Sequence, residues 1–157
     1  HGRNMVGHGD VLAPPPPQDG PPVVIAAPSR LLPRAAMVAF GRAIAEAAAA
    51  DGRRVAFCAS CDWGHTHAAS GPYGYHPASA EVDALVVEAL RAGDPGRLID
   101  LPEEQVQNAA IDGLWQTLML AGALELAPMR IEVLSYEAPT YYGMLVAVGE
   151  PQRAMEA

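Results

Sequence analysis

The sequence contains no lysine, because all ten of its basic side chains are arginine. Chemistry that needs a lysine Schiff base is therefore excluded. With 18 acidic residues the formal net charge is -8 at pH 7, which argues against non-specific binding to nucleic acid or to anionic membrane surfaces. The sequence has no apolar run long enough to span a bilayer and no recognisable signal peptide, so we expect no membrane partner.

Several common site motifs are also missing. There is no G-x-G-x-x-G, no P-loop and no H-E-x-x-H, which leaves nucleotide binding and zinc hydrolysis without support. Cysteine is rare as well. Cys58 and Cys61 are three residues apart on one predicted strand, so their side chains should point to opposite faces and should not form a disulfide. We expect both thiols to be buried, in a reducing, cytoplasmic compartment.

Proline is concentrated near the N-terminus, in four consecutive residues at 14–17 and again at 21–22. Such a stretch cannot join the interior of a sheet. We therefore expect a flexible Pro-rich segment over residues 1–22, of which 1–4 are consistent with a tag remnant. One α/β domain should follow over residues 23–149, with a tail over residues 150–157.

Hydrophobic patterning predicts alternating strands and helices. Short apolar runs at 23–27 and 55–60 predict buried strands, and helical spacing over 34–50 predicts the helix between them. Such a unit is normally parallel and right-handed. Further helices are expected over 79–91, from 102 onward and over 113–124, and further strands over 129–136 and 142–148. The predicted fold is α/β, with a mostly parallel sheet flanked by helices on both faces and an antiparallel C-terminal strand pair.

The stretch after the second apolar run, residues 61–77, is the strongest candidate for a functional site. It contains three of the five histidines, two tyrosines, three glycines, an aspartate and a tryptophan. Loops that follow strands in α/β proteins are where ligands usually bind. We therefore expect chemistry at this loop.

Three motifs carry a family resemblance. They are Asp-x-Gly-His-Thr-His at 62–67, Gly-Pro-Tyr-Gly-Tyr-x-Pro at 71–77 and Leu-Ser-Tyr-Glu-Ala-Pro-Thr-Tyr-Tyr-Gly-Met at 134–144. Together, over about residues 23–148, they resemble the C-terminal half of the catalytic subunit of class III extradiol ring-cleavage dioxygenases. The resemblance implies a non-haem Fe(II), held by two histidines and one glutamate, that opens a catecholic or aminophenol ring with O₂.

The resemblance also implies roles for individual residues. His65 would be the acid/base group, His8 a second histidine in the active site, and Glu137 the carboxylate metal ligand. Residues that would contact the substrate are Tyr73, Tyr75, Tyr141, Tyr142, His67 and Asp62. The alternatives are structural: a histidine that holds the loop, a solvated N-terminal histidine, an exposed turn carboxylate, and tyrosines that pack at the sheet edge.

The two histidine ligands of the family come from an N-terminal half that has no counterpart in this sequence. Two hypotheses follow. The chain is a truncated or atypical dioxygenase acting on a small aromatic substrate and O₂, or it is a non-catalytic homologue that binds a small aromatic ligand or a partner subunit. Either way we expect a homo-oligomer or a partner chain, because half of a sheet domain exposes apolar surface.

Overall fold

Residues 20–151 form four α-helices followed by a two-stranded sheet in the computed structural model of the protein. The predicted Pro-rich segment, His8 and most of the predicted tail lie outside these described residues. The elements are α1 (Arg34–Asp51), α2 (Ala78–Arg91), a 3₁₀ helix (Pro95–Asp100), α3 (Glu103–Asn108), α4 (Leu114–Leu126), β1 (Met129–Glu137) and β2 (Met144–Pro151). None of the helices in residues 20–151 combines the length and the apolar character that a membrane crossing requires.

Helices α1 and α4 cross at two glycines. A Cβ placed on Gly41 would lie 1.8 Å from the Met119 carbonyl oxygen, and one placed on Gly122 would lie 1.9 Å from the Val38 carbonyl oxygen. Only a hydrogen in place of a side chain permits so close an approach of the two backbones. The pair forms the main helical layer, and α1 ends where Gly52 adopts the left-handed conformation, at φ 73°.

The hydrophobic core lies between this layer and α2. Helix α2 buries its apolar stripe, as its periodicity predicts, and α4 is buried nearly all round. The largest fully buried apolar side chains are Trp63, Ile111, Leu114, Leu118, Val82 and Val86. Trp63 belongs to the candidate site loop, so the core anchors one end of that loop directly.

The predicted antiparallel C-terminal pair is confirmed. Strands β1 and β2 pair from Met129↔Pro151 to Glu137↔Met144, with a register irregularity between Val133 and Ser135. The turn between the strands carries the second half of the 134–144 motif. This hairpin therefore delivers Tyr141 and Tyr142 to the same end of the molecule as the site loop.

The described residues do not contain the predicted parallel sheet. Residues 23–27 and 55–60 belong to neither a helix nor a strand, and neither segment pairs as a strand with another part of residues 20–151. Val24 is 93% exposed and Ile25 is 89% exposed. A lone extended segment has no neighbour to satisfy its backbone donors and acceptors, so composition alone could not make these runs into a sheet. The fold of the described residues is mixed α and β.

The two cysteines are free thiols, as expected from their spacing, but the prediction that both are buried was wrong for Cys58. Cys58 is exposed on the unpaired 55–60 segment, whereas Cys61 is partly buried at the start of the site loop. The 55–60 segment is only partly covered within residues 20–151: Phe57 packs against the core, whereas Cys58 stays exposed.

Candidate functional site

Residues 62–67, called the site loop below, are held by an unbroken series of backbone hydrogen bonds. Each of the five amides from residue 63 to residue 67 donates to a different acceptor. The acceptors are, in order, the Gly143 oxygen at 3.0 Å, Asp83 Oδ1 at 2.8 Å, the Ala109 oxygen at 2.7 Å, Ser79 Oγ at 2.9 Å and the Tyr141 oxygen at 3.1 Å. These acceptors come from α2, the α3–α4 loop and the β1–β2 turn, so the loop is fixed from three sides.

A buried pair of hydroxyls also holds the site loop in place. Thr66 Oγ1 and Ser79 Oγ are 2.6 Å apart, and both residues are buried. Thr66 Oγ1 also lies within 3.2 Å of the carbonyl oxygens of His76 and Asn108, and Ser79 Oγ donates to the Ala109 oxygen at 3.2 Å. Thr66 therefore points into the fold, whereas the neighbouring His65 side chain keeps 14% of its surface exposed.

The His65 imidazole lies among three tyrosine rings. Tyr142 stacks on it with centroids 5.7 Å apart, Tyr73 meets it edge-on at 5.8 Å, and Tyr141 is tilted at 6.0 Å. Tyr141 and Tyr142 also contact each other at 5.0 Å. Tyr73 comes from the loop before α2 and the other two from the β1–β2 turn. These three tyrosines, called the tyrosine cage below, therefore join motifs that are about 70 residues apart in the chain.

The two ring nitrogens of His65 have different surroundings. Nδ1 is buried and has no hydrogen-bond partner among residues 20–151. Nε2 lies 4.0 Å from Asp62 Oδ2, and the Asp62 side chain is half exposed. A buried polar atom without a partner costs about 1–3 kcal/mol, so a hydroxyl that reached Nδ1 would relieve that cost.

A groove of about 560 Å³ adjoins this cage. Tyr73 belongs to both, and the groove wall also includes Arg30, Arg34, Gln107, Ala110 and Trp115. The Arg30 guanidinium lies 4.7 Å from the Trp115 ring centroid and pairs with Asp112. Ala110 has φ 47°, a conformation that non-glycine residues rarely adopt and that is concentrated at functional sites.

Asp83 forms a second polar cluster behind the loop, which the sequence did not reveal. Its carboxylate is buried on α2 and accepts from the Gly64 amide, from the Tyr136 hydroxyl at 2.7 Å and from His67 Nε2 at 2.8 Å. Burial, together with the bond to Asp83, raises the pKa of the Tyr136 hydroxyl well above its ordinary value. An acidic residue next to the buried apolar stripe of α2 was the available signal, because a buried carboxylate needs partners.

The family model for the catalytic LigB subunit of aromatic ring-opening dioxygenase matches residues 18–147. The chain belongs to this family. A curated protein from Clostridium acetobutylicum is 32% identical over 98 residues, which is 62% of this chain and 21% of the relative. The chain thus spans about one fifth of the length of that relative.

Within this LigB-family chain, the residues predicted for the site divide into two groups. Tyr73, Tyr141 and Tyr142 all contact His65, and Asp62 lies 4.0 Å from its Nε2. His67 turns to Asp83 instead. Tyr75 is 64% exposed and contributes a backbone bridge to His67. Glu137 is exposed at the end of β1 and forms no side-chain hydrogen bond or ion pair within residues 20–151.

Residues 20–151 do not by themselves fit the iron centre that the LigB family implies. No group of three or more His, Cys, Asp or Glu side chains within this range is arranged to hold a metal ion. Iron of the facial-triad type needs two histidines and a carboxylate on one side of the metal. Glu137 is one candidate carboxylate, and two further ligands would have to lie outside the described residues.

Proposed function

We propose that this chain supplies the aromatic-binding and proton-transferring side of an aromatic ring-opening dioxygenase of the extradiol type. The observation that carries the proposal is the His65 imidazole, enclosed by three tyrosine rings, with a buried Nδ1 that no residue in 20–151 satisfies. The family match supports the reaction class. The substrate would be a catechol or aminophenol, and the co-substrate O₂.

His65 would handle the proton in this reaction. A substrate hydroxyl that hydrogen-bonds to the imidazole can pass its proton to the ring and later recover it, because histidine titrates near neutral pH. The backbone amide of His65 donates to the Ala109 oxygen at 2.7 Å, so the backbone from which the imidazole extends is held in place. Asp62, 4.0 Å from Nε2, would favour a proton on that nitrogen.

The tyrosines would bind and orient the substrate ring. Aromatic rings prefer stacked or edge-to-face contacts, and Tyr142 and Tyr73 already make both kinds with the imidazole. A substrate ring that entered beside His65 would take over some of these contacts and exclude water from the histidine. Ring substituents would extend past Tyr73 into the adjoining groove.

Iron, when bound, would activate O₂ and the substrate diol. From this chain we propose only Glu137 as a ligand, with His8 as a further active-site histidine. The remaining ligands must come from elsewhere, because residues 20–151 do not bring a ligand set together.

A partner polypeptide, either a second copy or a different chain, is part of the proposal. Segments 23–27 and 55–60 expose apolar side chains, Val24 and Val55 among them, and neither pairs as a strand within residues 20–151. An added β-strand covers a surface of this kind. We propose that strands from outside residues 20–151 complete a parallel sheet here and bring the remaining ligands to the site.

One observation favours a second function. Because no potential metal-binding cluster is present in residues 20–151, the tyrosine cage could serve a homologue that binds an aromatic ligand without opening its ring. This function needs the cage and the groove but no oxygen chemistry.

A single set of samples separates these functions. The chain is loaded anaerobically with Fe(II), desalted and given a panel of catechols, and its iron content and oxygen uptake are measured. In a second sample, catechol binding to the metal-free chain is measured by NMR titration. Uptake that is lost in His65→Asn and kept in Glu88→Gln, an exposed α2 control, supports ring opening. Saturable binding without uptake, in samples concentrated enough for light scattering to show association of the chain, supports the second function. Neither binding nor uptake overturns both.

A further inference from the structure

The buried carboxylate of Asp83 connects the two halves of the candidate site. Asp83 is 1% exposed, and its only ion-pair partner within residues 20–151 is His67. A carboxylate in such a place is costly unless hydrogen bonds satisfy it. Its cost in this fold is offset by three donors, and the identity of those donors indicates what the residue does.

The donors come from both site motifs. Oδ1 accepts from the Gly64 amide at 2.8 Å, one residue before His65. Oδ2 accepts from Tyr136 at 2.7 Å, one residue before Glu137, and from His67 Nε2 at 2.8 Å. Asp83 therefore accepts a hydrogen bond from the residue before His65, the proposed acid/base group. It accepts another from the residue before Glu137, the proposed metal ligand.

The β1–β2 turn packs directly against the same carboxylate. A Cβ on Gly143 would lie 2.0 Å from Asp83 Oδ2, and the Gly143 amide donates to the Gly64 oxygen at 3.0 Å. The turn that carries Tyr141 and Tyr142 thus reaches His65 only because glycine at position 143 leaves room for the carboxylate.

We propose that Asp83 is the positioning residue of this site: its carboxylate fixes the His67 tautomer, with hydrogen on Nε2, and holds Gly64 and the β1–β2 turn so that His65 stays among its three tyrosines. The proposal rests on the proposed function for its catalytic consequence, but its structural statement does not depend on turnover. Asp83 does not touch the substrate and acts only through its neighbours.

The chemistry of a carboxylate makes the proposal testable. An ionised carboxylate only accepts hydrogen bonds, so His67 Nε2 must carry a hydrogen. Asparagine has nearly the same shape but offers one accepting oxygen and two donor hydrogens. After Asp83→Asn, at least one of the three present donors must therefore turn away, face another donor or, in the case of Tyr136 and His67, become an acceptor.

The first measurement is imidazole ¹⁵N NMR of the full chain in mildly alkaline buffer. We expect His67 to be protonated at Nε2 in the wild type and to lose that fixed tautomer in Asp83→Asn. We also expect the His65 ring protons to shift, because their ring-current environment from the three tyrosines changes. A wild-type His67 protonated only at Nδ1, or exchanging between tautomers, would overturn the proposal.

Two controls separate positioning from general loss of stability. Glu81→Gln changes an exposed acid on the same helix, and Leu98→Ala destabilises the core away from the loop; neither should move the His65 signals in the folded state. Tyr136→Phe removes one donor without changing the carboxylate, so it keeps the test valid if Asp83→Asn fails to fold. Unmoved His65 signals in every folded variant of this cluster would contradict the proposal.

The catalytic consequence is measured separately. If the wild type opens a catechol ring, Asp83→Asn should lower kcat by ~10- to 100-fold while KM stays nearly constant, because a displaced acid/base group costs rate rather than binding. An unchanged kcat would remove Asp83 from the mechanism. If the wild type shows no turnover, the NMR result still decides whether Asp83 positions His65.

Discussion

Two adjacent stretches of this chain, residues 55–60 and the site loop at 62–67, have opposite surroundings. In the site loop, five consecutive amides each reach an acceptor on another element. In the preceding stretch no backbone amide is bonded to another part of residues 20–151, and Val55 is 54% exposed. Secondary structure does not explain this difference, since neither stretch belongs to a helix or to a named strand.

The difference lies in what each stretch faces. The site loop faces α2, the α3–α4 loop and the β1–β2 turn, all of which residues 20–151 contain. The 55–60 stretch makes fewer contacts: Phe57 is partly buried against the core, whereas Val55 is exposed. The backbone of the proposed acid/base loop is therefore fixed within the described chain, whereas the backbone of the 55–60 stretch is not.

The largest loss of stability is expected from breaking the crossing of helices α1 and α4. Gly122→Ala would place a methyl group 1.9 Å from the Val38 carbonyl oxygen, so α1 and α4 must separate. We expect a loss of at least about 3 kcal/mol in the free energy of unfolding, measured by urea denaturation. Gly96→Ala is the matched control, because its nearest neighbour would be 3.5 Å away. Equal stability of the two variants would contradict the close crossing.

A smaller loss is expected from loosening the site loop alone. Thr66→Val keeps the shape of the side chain but removes the hydroxyl that lies 2.6 Å from Ser79 Oγ. Unpaired buried polar groups cost about 1–3 kcal/mol, so we expect a loss of that size. Hydrogen exchange at amides 63–67 should accelerate while that at 55–60 stays fast. Equally fast exchange in both stretches of the wild type would contradict the difference in backbone hydrogen bonding between them.

Helices and hairpin were predictable because their signals are local. Helix α1 begins after Pro33 and ends before Gly52, and α2 ends at Arg91. These limits are close to the predicted ones. The parallel sheet was not predictable in the same way. The apolar run at 23–27 has strand composition, but pairing needs a neighbour that composition does not reveal.

The candidate site was predictable as a set of residues but not as an arrangement. Motif spacing selected His65 and the tyrosines at 73, 141 and 142, and these side chains are in contact. The same motif included Tyr75, whose ring is not among the three that contact His65. Asp83 was missed, because its importance depends on three donors that are brought together only by tertiary packing.

The two cysteines allow the two stretches to be compared, because Cys58 lies in the first stretch and Cys61 directly precedes the second. Cys58 is exposed on the open stretch, while burial raises the pKa of the Cys61 thiol to about 11. Since the thiolate is the reacting form, Cys61 should be alkylated at least ~10-fold more slowly in mildly alkaline buffer, and its rate should keep rising until the pH approaches 11.

The measurement uses the single-cysteine variants Cys58→Ser and Cys61→Ser with iodoacetamide and mass spectrometry. Labelling in urea provides the control, because both thiols should then react at similar rates. Similar rates in the native protein would mean that the site loop opens as readily as the stretch before it.

The smallest effect on stability is expected at the exposed 23–27 stretch. Val24 is 93% exposed, whereas Val82 on α2 is fully buried. Val24→Asp should therefore change the free energy of unfolding of the dilute chain by less than about 0.5 kcal/mol, while Val82→Asp should prevent folding. Because an exposed apolar strand edge is a surface for pairing, Val24→Asp should nevertheless weaken association, which light scattering measures at rising concentration. A large loss of stability in Val24→Asp would mean that the 23–27 stretch already packs within a single chain. Unchanged stability together with weakened association would instead locate the missing part of the sheet in a second polypeptide, because the only property altered would be the surface that such a strand must cover.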